Sequence, residues 1–187
     1  GYAVIEDLGD DLFANVIPQG TDEIALYEEA ARVLAHVHTS PPAPMRLQGA
    51  GNAAWPLLDY DALALEVNAD LFVEWLPRAA DVRIDDAARA RWEKIRDSLI
   101  VKALGFPRAF TIRDYHAENL LWLPNRDGLQ RVGLLDFQDA IRGWRGWDFS
   151  MLLHDARRDV SPGAHEAAVR AYLEASGNSD VEFQREL

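Results

Sequence analysis

The stretch that decides the fold is Thr111-Ile112-Arg113-Asp114-Tyr115-His116-Ala117-Glu118-Asn119-Leu120-Leu121-Trp122, followed after a turn by Gly133-Leu134-Leu135-Asp136-Phe137-Gln138-Asp139. Leu120 to Leu123 reads as a strand and Pro124-Asn125-Arg126-Asp127-Gly128 as a turn. Val132-Gly133-Leu134-Leu135 reads as the return strand. A hairpin closes its two mouths together, so Asn119 and Asp136 become neighbours at one edge, with Asp114 one loop away. Phe110 and Ile112 alternate with polar neighbours and predict a further short strand ahead of that loop.

Two carboxylates and an amide around one small volume suit phosphoryl transfer. In that chemistry a protein does little covalent work: it holds Mg²⁺, aligns the triphosphate and orients the attacking hydroxyl. Mg²⁺ prefers the oxygen ligands that Asn and Asp supply, and a nearby carboxylate can accept the hydroxyl's proton. An Asp and an Asn five residues apart recur by chance in many chains. Joined to an apolar strand, a turn and Leu134-Leu135-Asp136-Phe137 at this distance, they are specific.

Working outward, the first hundred residues read as helices. Thr21 is placed as an N-cap, with Asp22 and Glu23 in the first turn. Leu26, Tyr27, Ala30, Ala31, Val33, Leu34 and Val37 follow at helical spacing until Thr39-Ser40-Pro41-Pro42 stops them. His36 and His38 fall two apart, on different sides of that helix, so they do not form a metal pair. Leu63, Val67, Leu71 and Trp75 recur every four residues, which predicts a buried helix face ended by Pro77, with Glu66, Asp70 and Glu74 as an acidic flank. In a third helix after Asp85-Asp86, Ala88, Trp92, Ile95 and Leu99 mark the expected buried face and Gly105 the C′ position. Beyond the hairpin, Asp148 can cap a helix carrying Phe149, Met151, Leu152 and Leu153, and Ser161-Pro162 begins another that runs towards Gly177.

The run Arg113 to Trp122, with Leu134 to Asp139, resembles the catalytic core of the aminoglycoside phosphotransferase/choline kinase family. The wording is closer still to the bacterial kinases that phosphorylate the anomeric hydroxyl of N-acetylmuramate and N-acetylglucosamine. The resemblance spans most of residues 1–175, with its sharp motifs in 112–149. It implies an α+β fold: a protein-kinase-like C-terminal lobe, mostly helical, with a small catalytic β-hairpin. By resemblance, Asp114 is the catalytic base, Asn119 and Asp136 are Mg²⁺ ligands, and the backbone of Glu6, Asp7 and Leu8 forms the hinge that binds adenine. His116 and Asp148 are structural beside the site. Arg113, Glu74, Trp75 and Arg142 are candidates for the acceptor. The implied cofactors are ATP and Mg²⁺. Residues 1–11 would be the end of an N-lobe strand and the hinge; 12–187 would be the C-lobe, with an acceptor-site insert at about 55–84 and the catalytic loop and hairpin at 109–140.

Two features depart from the family's pattern. Ile112 stands where many members carry His. There is also no Gly-rich loop or strand Lys ahead of the hinge, since Lys94 and Lys102 are the only lysines. A kinase of this type needs both on an N-lobe. With an opening at Gly1 that is already in mid-pattern, the expectation is a lobe cut at both ends, inactive by itself.

Composition bounds the partners. The 187 residues carry 31 acidic and 19 basic side chains, a formal charge of −12. That argues against a nucleic-acid binder and against docking on anionic lipid. It leaves a small-molecule substrate, with oligomeric state open. No cysteine is present, so disulfides, thiolate catalysis and Cys-ligated zinc are excluded. Zero cysteine fits a reducing compartment, and with no apolar span of about 18 residues or signal peptide visible the expectation is cytoplasmic. Acceptor identity is pulled two ways: the acidic helix flank suits a cationic aminoglycoside, whereas Arg113, Arg142 and Arg145 suit an anionic sugar. A non-catalytic binding module of the same fold is a further alternative. A glycosidase using Asp114 and Asp136 would release sugar without ATP.

Overall fold

The structure is a computed structural model that describes residues 6–40, 57–178 and 181. The strand expected over residues 1–5 lies outside the described residues. The elements run in the order α1 (Phe13–Val16), α2 (Glu23–Thr39), α3 (Ala62–Ala80), α4 (Asp86–Leu104), β1 (Arg108–Thr111), β2 (Leu120–Trp122), β3 (Val132–Leu134), β4 (Ile141–Trp144), α5 (Gly146–Leu153) and α6 (Pro162–Ser176).

The core is built where α2 lies along α6. Leu26, Tyr27, Ala30, Ala31 and Leu34 of α2 meet Ala164, Ala168, Ala171 and Tyr172 of α6, with Phe149 and Leu152 of α5 closing the cluster. Alanines on both helices let the backbones approach closely, and the large rings fill the ends. The α2 cap is Asp22 rather than Thr21: its Oδ1 accepts the Ile24 and Ala25 N–H groups at 3.0 and 3.4 Å. Ser161 caps α6 from the expected place, and Gly177 ends it at φ +66°.

The predicted hairpin is β2 paired antiparallel with β3, with Leu120 opposite Leu134 and Trp122 opposite Val132. Sequence did not anticipate a second ribbon, β1 with β4, in which Ala109 faces Gly143 and Thr111 faces Ile141. Gly143 is required there, because a Cβ would lie 2.9 Å from the buried Thr111 Oγ1. Residues 58–60 run beside β4: Arg142 N–H bonds the Leu58 carbonyl at 2.7 Å and Tyr60 N–H the Arg142 carbonyl at 3.0 Å.

The α3–α4 pair corrects the sequence reading most. Leu63, Val67, Leu71 and Trp75 are exposed, and the inward side chains are Leu65 and Val73. Ile95 and Leu99, expected inside, are also exposed, and no residue of α4 is buried. A helix with apolar residues on several sides defines stripes by period, not which stripe finds a partner. Here α3 meets α4 through Phe72 stacked on Trp92 at 5.3 Å and through Asp70, which accepts Trp92 Nε1–H at 2.8 Å and Arg96 Nη1–H at 2.6 Å. Arg96 also pairs with Glu66 at 3.4 Å, so two of the three flanking acids are tied to α4. Pro77 lies inside α3, in its final stretch before the left-handed Asp81, and Gly105 caps α4 at φ −81°.

Candidate active site

The loop from Ile112 to Asn119 is held from several sides. Asp148 does not cap α5; it lies in the first turn, fully buried, and faces the loop. Its Oδ2 accepts the Ile112 N–H at 2.7 Å and its Oδ1 the Arg113 N–H at 2.8 Å. Trp147, one residue earlier, donates Nε1–H to the Arg113 carbonyl at 3.1 Å. The Tyr115 hydroxyl donates to the Ala30 carbonyl of α2 at 2.8 Å, and burial pushes that phenol well above its ordinary pKa. Behind Asp148 stands His38, whose side chain is 1% exposed, with Nε2 3.5 Å from Asp148 Oδ2 and Nδ1 3.0 Å from the Tyr172 hydroxyl.

Asn119 joins loop to ribbon. Its Nδ2 donates to the Asp114 carbonyl at 3.0 Å, its N–H to the His116 carbonyl at 2.8 Å, and its carbonyl accepts the Leu135 N–H at 2.9 Å. The last bond extends the β2–β3 ladder one step past Leu120 and Leu134. It sets Asn119 and the stretch leading into Asp136 at the same end of the ribbon, with Asp114 bonded across. Because Nδ2 is committed, Oδ1 remains as an acceptor. His116 is buried, with Nε2 3.4 Å from Asn119 Nδ2.

Three non-glycine residues have positive φ among those described: Asp81, Arg113 at +81° and Asp136 at +52°. Two of them are in this constellation. Such conformations cost about 1–3 kcal/mol each and persist only where surroundings over-determine them. Among the described residues, the carboxylates of Asp114 and Asp136 take no hydrogen bond or ion pair, so both are available to a ligand. No group of three or more His, Asp or Glu side chains there is arranged to hold a metal by itself.

The stretch expected to form the hinge lies against the same ribbon. Asp11 accepts the Trp122 N–H at 2.8 Å, Leu12 bridges Leu121, and a Cβ on Gly133 would come within 3.0 Å of Leu8 Cδ1. Asp7 accepts the Gly9 N–H at 2.9 Å, and Glu6 pairs with Arg126. The other candidates are distributed differently. The Arg113 guanidinium lies 5.8 Å over the Tyr60 ring, beside the loop. Tyr60 is raised from its ordinary pKa by burial, with Arg113 opposing and Asp114 adding to the rise. Arg142 is engaged by Asp59 at 2.5 and 2.9 Å, which lowers the Asp59 pKa. Glu74 and the exposed Trp75 sit on α3, where Arg78 covers the Trp75 ring at 5.5 Å; among the described residues no hydrogen bond or ion pair joins either to the loop. A cavity of about 510 Å³ is lined by Leu65, Trp92, Leu99, Phe106, Trp144 and Trp147 among others, but not by Asp114, Asn119 or Asp136.

Sequence reasoning missed His38, Tyr115 and Trp147. His38 had a signal: it continues the stripe of Tyr27, Ala31 and Leu34 at helical spacing, which places it inside. Tyr115 and Trp147 had none, since each is defined by a partner distant in sequence.

A model of the APH phosphotransferase enzyme family matches residues 1–184. The chain belongs to this family. Among curated relatives of the chain, the N-acetylmuramate/N-acetylglucosamine kinase of Caulobacter vibrioides is 51% identical over 181 residues, covering 96% of this chain and 49% of that protein. The protein of the same name from Pseudomonas aeruginosa is 33% identical over 180 residues, covering 94% and 48%. The chain therefore spans about half the length of the curated relatives it matches. Solved structures share the fold. Aminoglycoside-3'-phosphotransferase of type VIII superposes with TM-score 0.54 at 17% identity, covering 88% of this chain and 58% of that one. ADP-bound aminoglycoside phosphotransferase APH(2'')-Ib gives TM-score 0.53 at 18% identity, covering 98% and 57%. The expected fold class is thus established: a kinase-like lobe, mostly helical, with short ribbons.

Proposed function

We propose that this chain carries the catalytic lobe of an ATP- and Mg²⁺-dependent kinase that phosphorylates an amino sugar, N-acetylmuramate or N-acetylglucosamine, at its anomeric hydroxyl. The supporting observation is the bond pair on Asn119, Nδ2 to the Asp114 carbonyl and carbonyl to the Leu135 N–H, which gathers Asp114, Asn119 and Asp136 at one ribbon end. The names of the Caulobacter and Pseudomonas relatives support the acceptor.

Asn119 Oδ1 and the Asp136 carboxylate fit Mg²⁺, which binds proteins through one or two oxygens and takes the rest from phosphates and water. Mg²⁺ there would neutralise charge on the transferring phosphate. Asp114, with its carboxylate unpaired, orients the acceptor hydroxyl and takes its proton as the oxygen bonds to the γ-phosphorus and ADP departs. The backbone of residues 6–8, where the Leu8 side chain lies against Gly133 of the ribbon, is the proposed adenine contact, and residues 1–11 and 12–187 are the proposed hinge and lobe. Arg113 is the best placed of the acceptor candidates. The reading includes a cytoplasmic location, where ATP and the recycled sugar would meet.

The test is ATP consumption by the full-length gene product with N-acetylmuramate, N-acetylglucosamine or a cationic aminoglycoside. The expected result is phosphorylation of the acetylated sugars, abolished to below about one part in a hundred by Asp114→Asn. Turnover of the aminoglycoside alone would overturn the acceptor assignment. Absence of ATP-dependent turnover with every acceptor would make the lobe a binding module.

A further inference from the structure

The backbone at Arg113 poses a physical problem that Asp148 solves only in part. Residue 113 is not glycine, yet its φ is +81°. Asp148 fixes the N–H groups of Ile112 and Arg113, which is the side of the residue facing away from Asp114. The next peptide group, formed by the Arg113 carbonyl and the Asp114 N–H, is free of that grip. Its orientation sets the direction in which the Asp114 side chain leaves the backbone.

The group that holds it is the Trp147 indole, 3.1 Å from the Arg113 oxygen. The indole itself is fixed by other rings. It meets Tyr60 edge-on at 5.1 Å and 76°, and Trp144 edge-on at 5.1 Å and 90°. Tyr60 is anchored in turn through its own backbone: Arg108 Nη1 donates to its carbonyl at 3.0 Å, and its N–H bonds the Arg142 carbonyl at 3.0 Å. The Arg113 guanidinium lies over that same Tyr60 ring. The donor is therefore held in place before any substrate arrives, and it can fix a dihedral that Arg113 would not adopt alone.

From this we infer that Trp147 is a positioning residue: its Nε1–H holds the Arg113 carbonyl and thereby aims the Asp114 carboxylate. The inference rests on the proposed role of Asp114 for its kinetic consequence, but not for its structural one.

The experiment uses Trp147→Phe in the full-length gene product, which keeps an aromatic ring against Tyr60 and Trp144 and deletes the donor. Trp144→Phe is the control: it keeps a ring edge-on to Trp147 and, among the described residues, removes no hydrogen bond to the loop. Trp147→Phe should lower kcat about tenfold or more, with KM for ATP and sugar within about twofold, because misdirecting Asp114 removes an interaction made in the transition state. Trp144→Phe should leave kcat within about twofold. Amide hydrogen exchange, which needs no turnover, should quicken at residues 113–115 in Trp147→Phe and stay unchanged in α2 and α6.

In the wild-type protein, the Trp147 indole N–H should exchange about 100-fold slower than a free indole, a measurement that stands even if the variant misfolds. A free-indole exchange rate, unaltered exchange at 113–115, or equal kinetic losses in both variants would overturn the inference. Altered exchange in a protein with no kinase activity would leave the clamp standing and remove the proposed function instead.

Discussion

Replacing Asp148 by Ala removes one side chain and leaves three groups stranded. The Ile112 and Arg113 N–H groups, now bonded at 2.7 and 2.8 Å, lose their acceptor inside the protein. The buried His38 loses the carboxylate 3.5 Å from its Nε2. A hydrogen bond to a charged group contributes about 1.5–3 kcal/mol, so two give about 3–6 kcal/mol. Relaxation of the left-handed Arg113 backbone returns about 1–3 kcal/mol. The net expectation is a loss of about 2–3 kcal/mol, a large share of the 5–15 kcal/mol that holds an ordinary domain together. Urea unfolding followed by tryptophan fluorescence reads this directly: with a slope near 2 kcal/mol per molar, the midpoint should fall by about 1–1.5 M. Asp148→Asn should recover about half of the loss, because one amide oxygen still accepts while the amide nitrogen opposes the second N–H. A loss under about 1 kcal/mol at unchanged slope would refute the reasoning, since buried backbone donors without a partner cannot be that cheap.

Other expectations follow from the same geometry. Gly143→Ala should destabilise by about 1–3 kcal/mol, because the new methyl meets Thr111 Oγ1 at 2.9 Å across the β1–β4 ribbon; a thermal melt checks it, and a neutral result would mean the ribbon can part. Tyr27 is pushed up to about 12, chiefly by burial. The unfolded chain therefore loses that proton near pH 10 while the folded one keeps it, and stability should fall as pH rises from about 10 towards 12; Tyr27→Phe should flatten that limb of a stability–pH curve. Asp70 is held below its usual range by the Trp92 and Arg96 hydrogen bonds. Its contribution is present above the ordinary carboxylate pKa and is lost as pH falls below it, so Trp92 fluorescence should report loosening of α3 from α4 in acid, and Asp70→Asn should remove that transition.

Much of the fold was legible because its parts are local. The α2 stripe repeats along one helix and packs as its period says, and Ser161-Pro162 marks the start of α6 by rules that need no distant partner. The turn between Leu123 and Val132 fixed the β2–β3 register, which carries Asn119 and Asp136 to the same end. Legibility stopped where an element's partner lies elsewhere in the chain. In α3 the four-residue period was real, but the helix is apolar on more than one side. Asp70, which reads as part of an acidic flank, and Phe72 are the groups that choose the face by meeting Trp92 and Arg96. Ribbon β1–β4 escaped because its strands are four residues long and separated by the whole hairpin.

The site divides along the same line, and the division has a physical reason. The groups proposed to meet a ligand end at a loop or strand terminus, so they are spaced by the chain itself: Asp114, Asn119 and Asp136 stand where the loop and turn put them. Groups that hold those termini still must come from rigid elements behind them, and rigid elements arrive from anywhere in sequence. Asp148 and Trp147 approach from α5, His38 from α2, and Tyr60 from the segment ahead of α3. None reveals by spacing what it touches. The backbone carries the trace that the spacing does not: two non-glycine residues, Arg113 and Asp136, are left-handed at this site. At Arg113 the clamp comes from α5, a distant and rigid element: the Asp148 carboxylate accepts the paired N–H groups of Ile112 and Arg113, and the Trp147 indole N–H holds the Arg113 carbonyl.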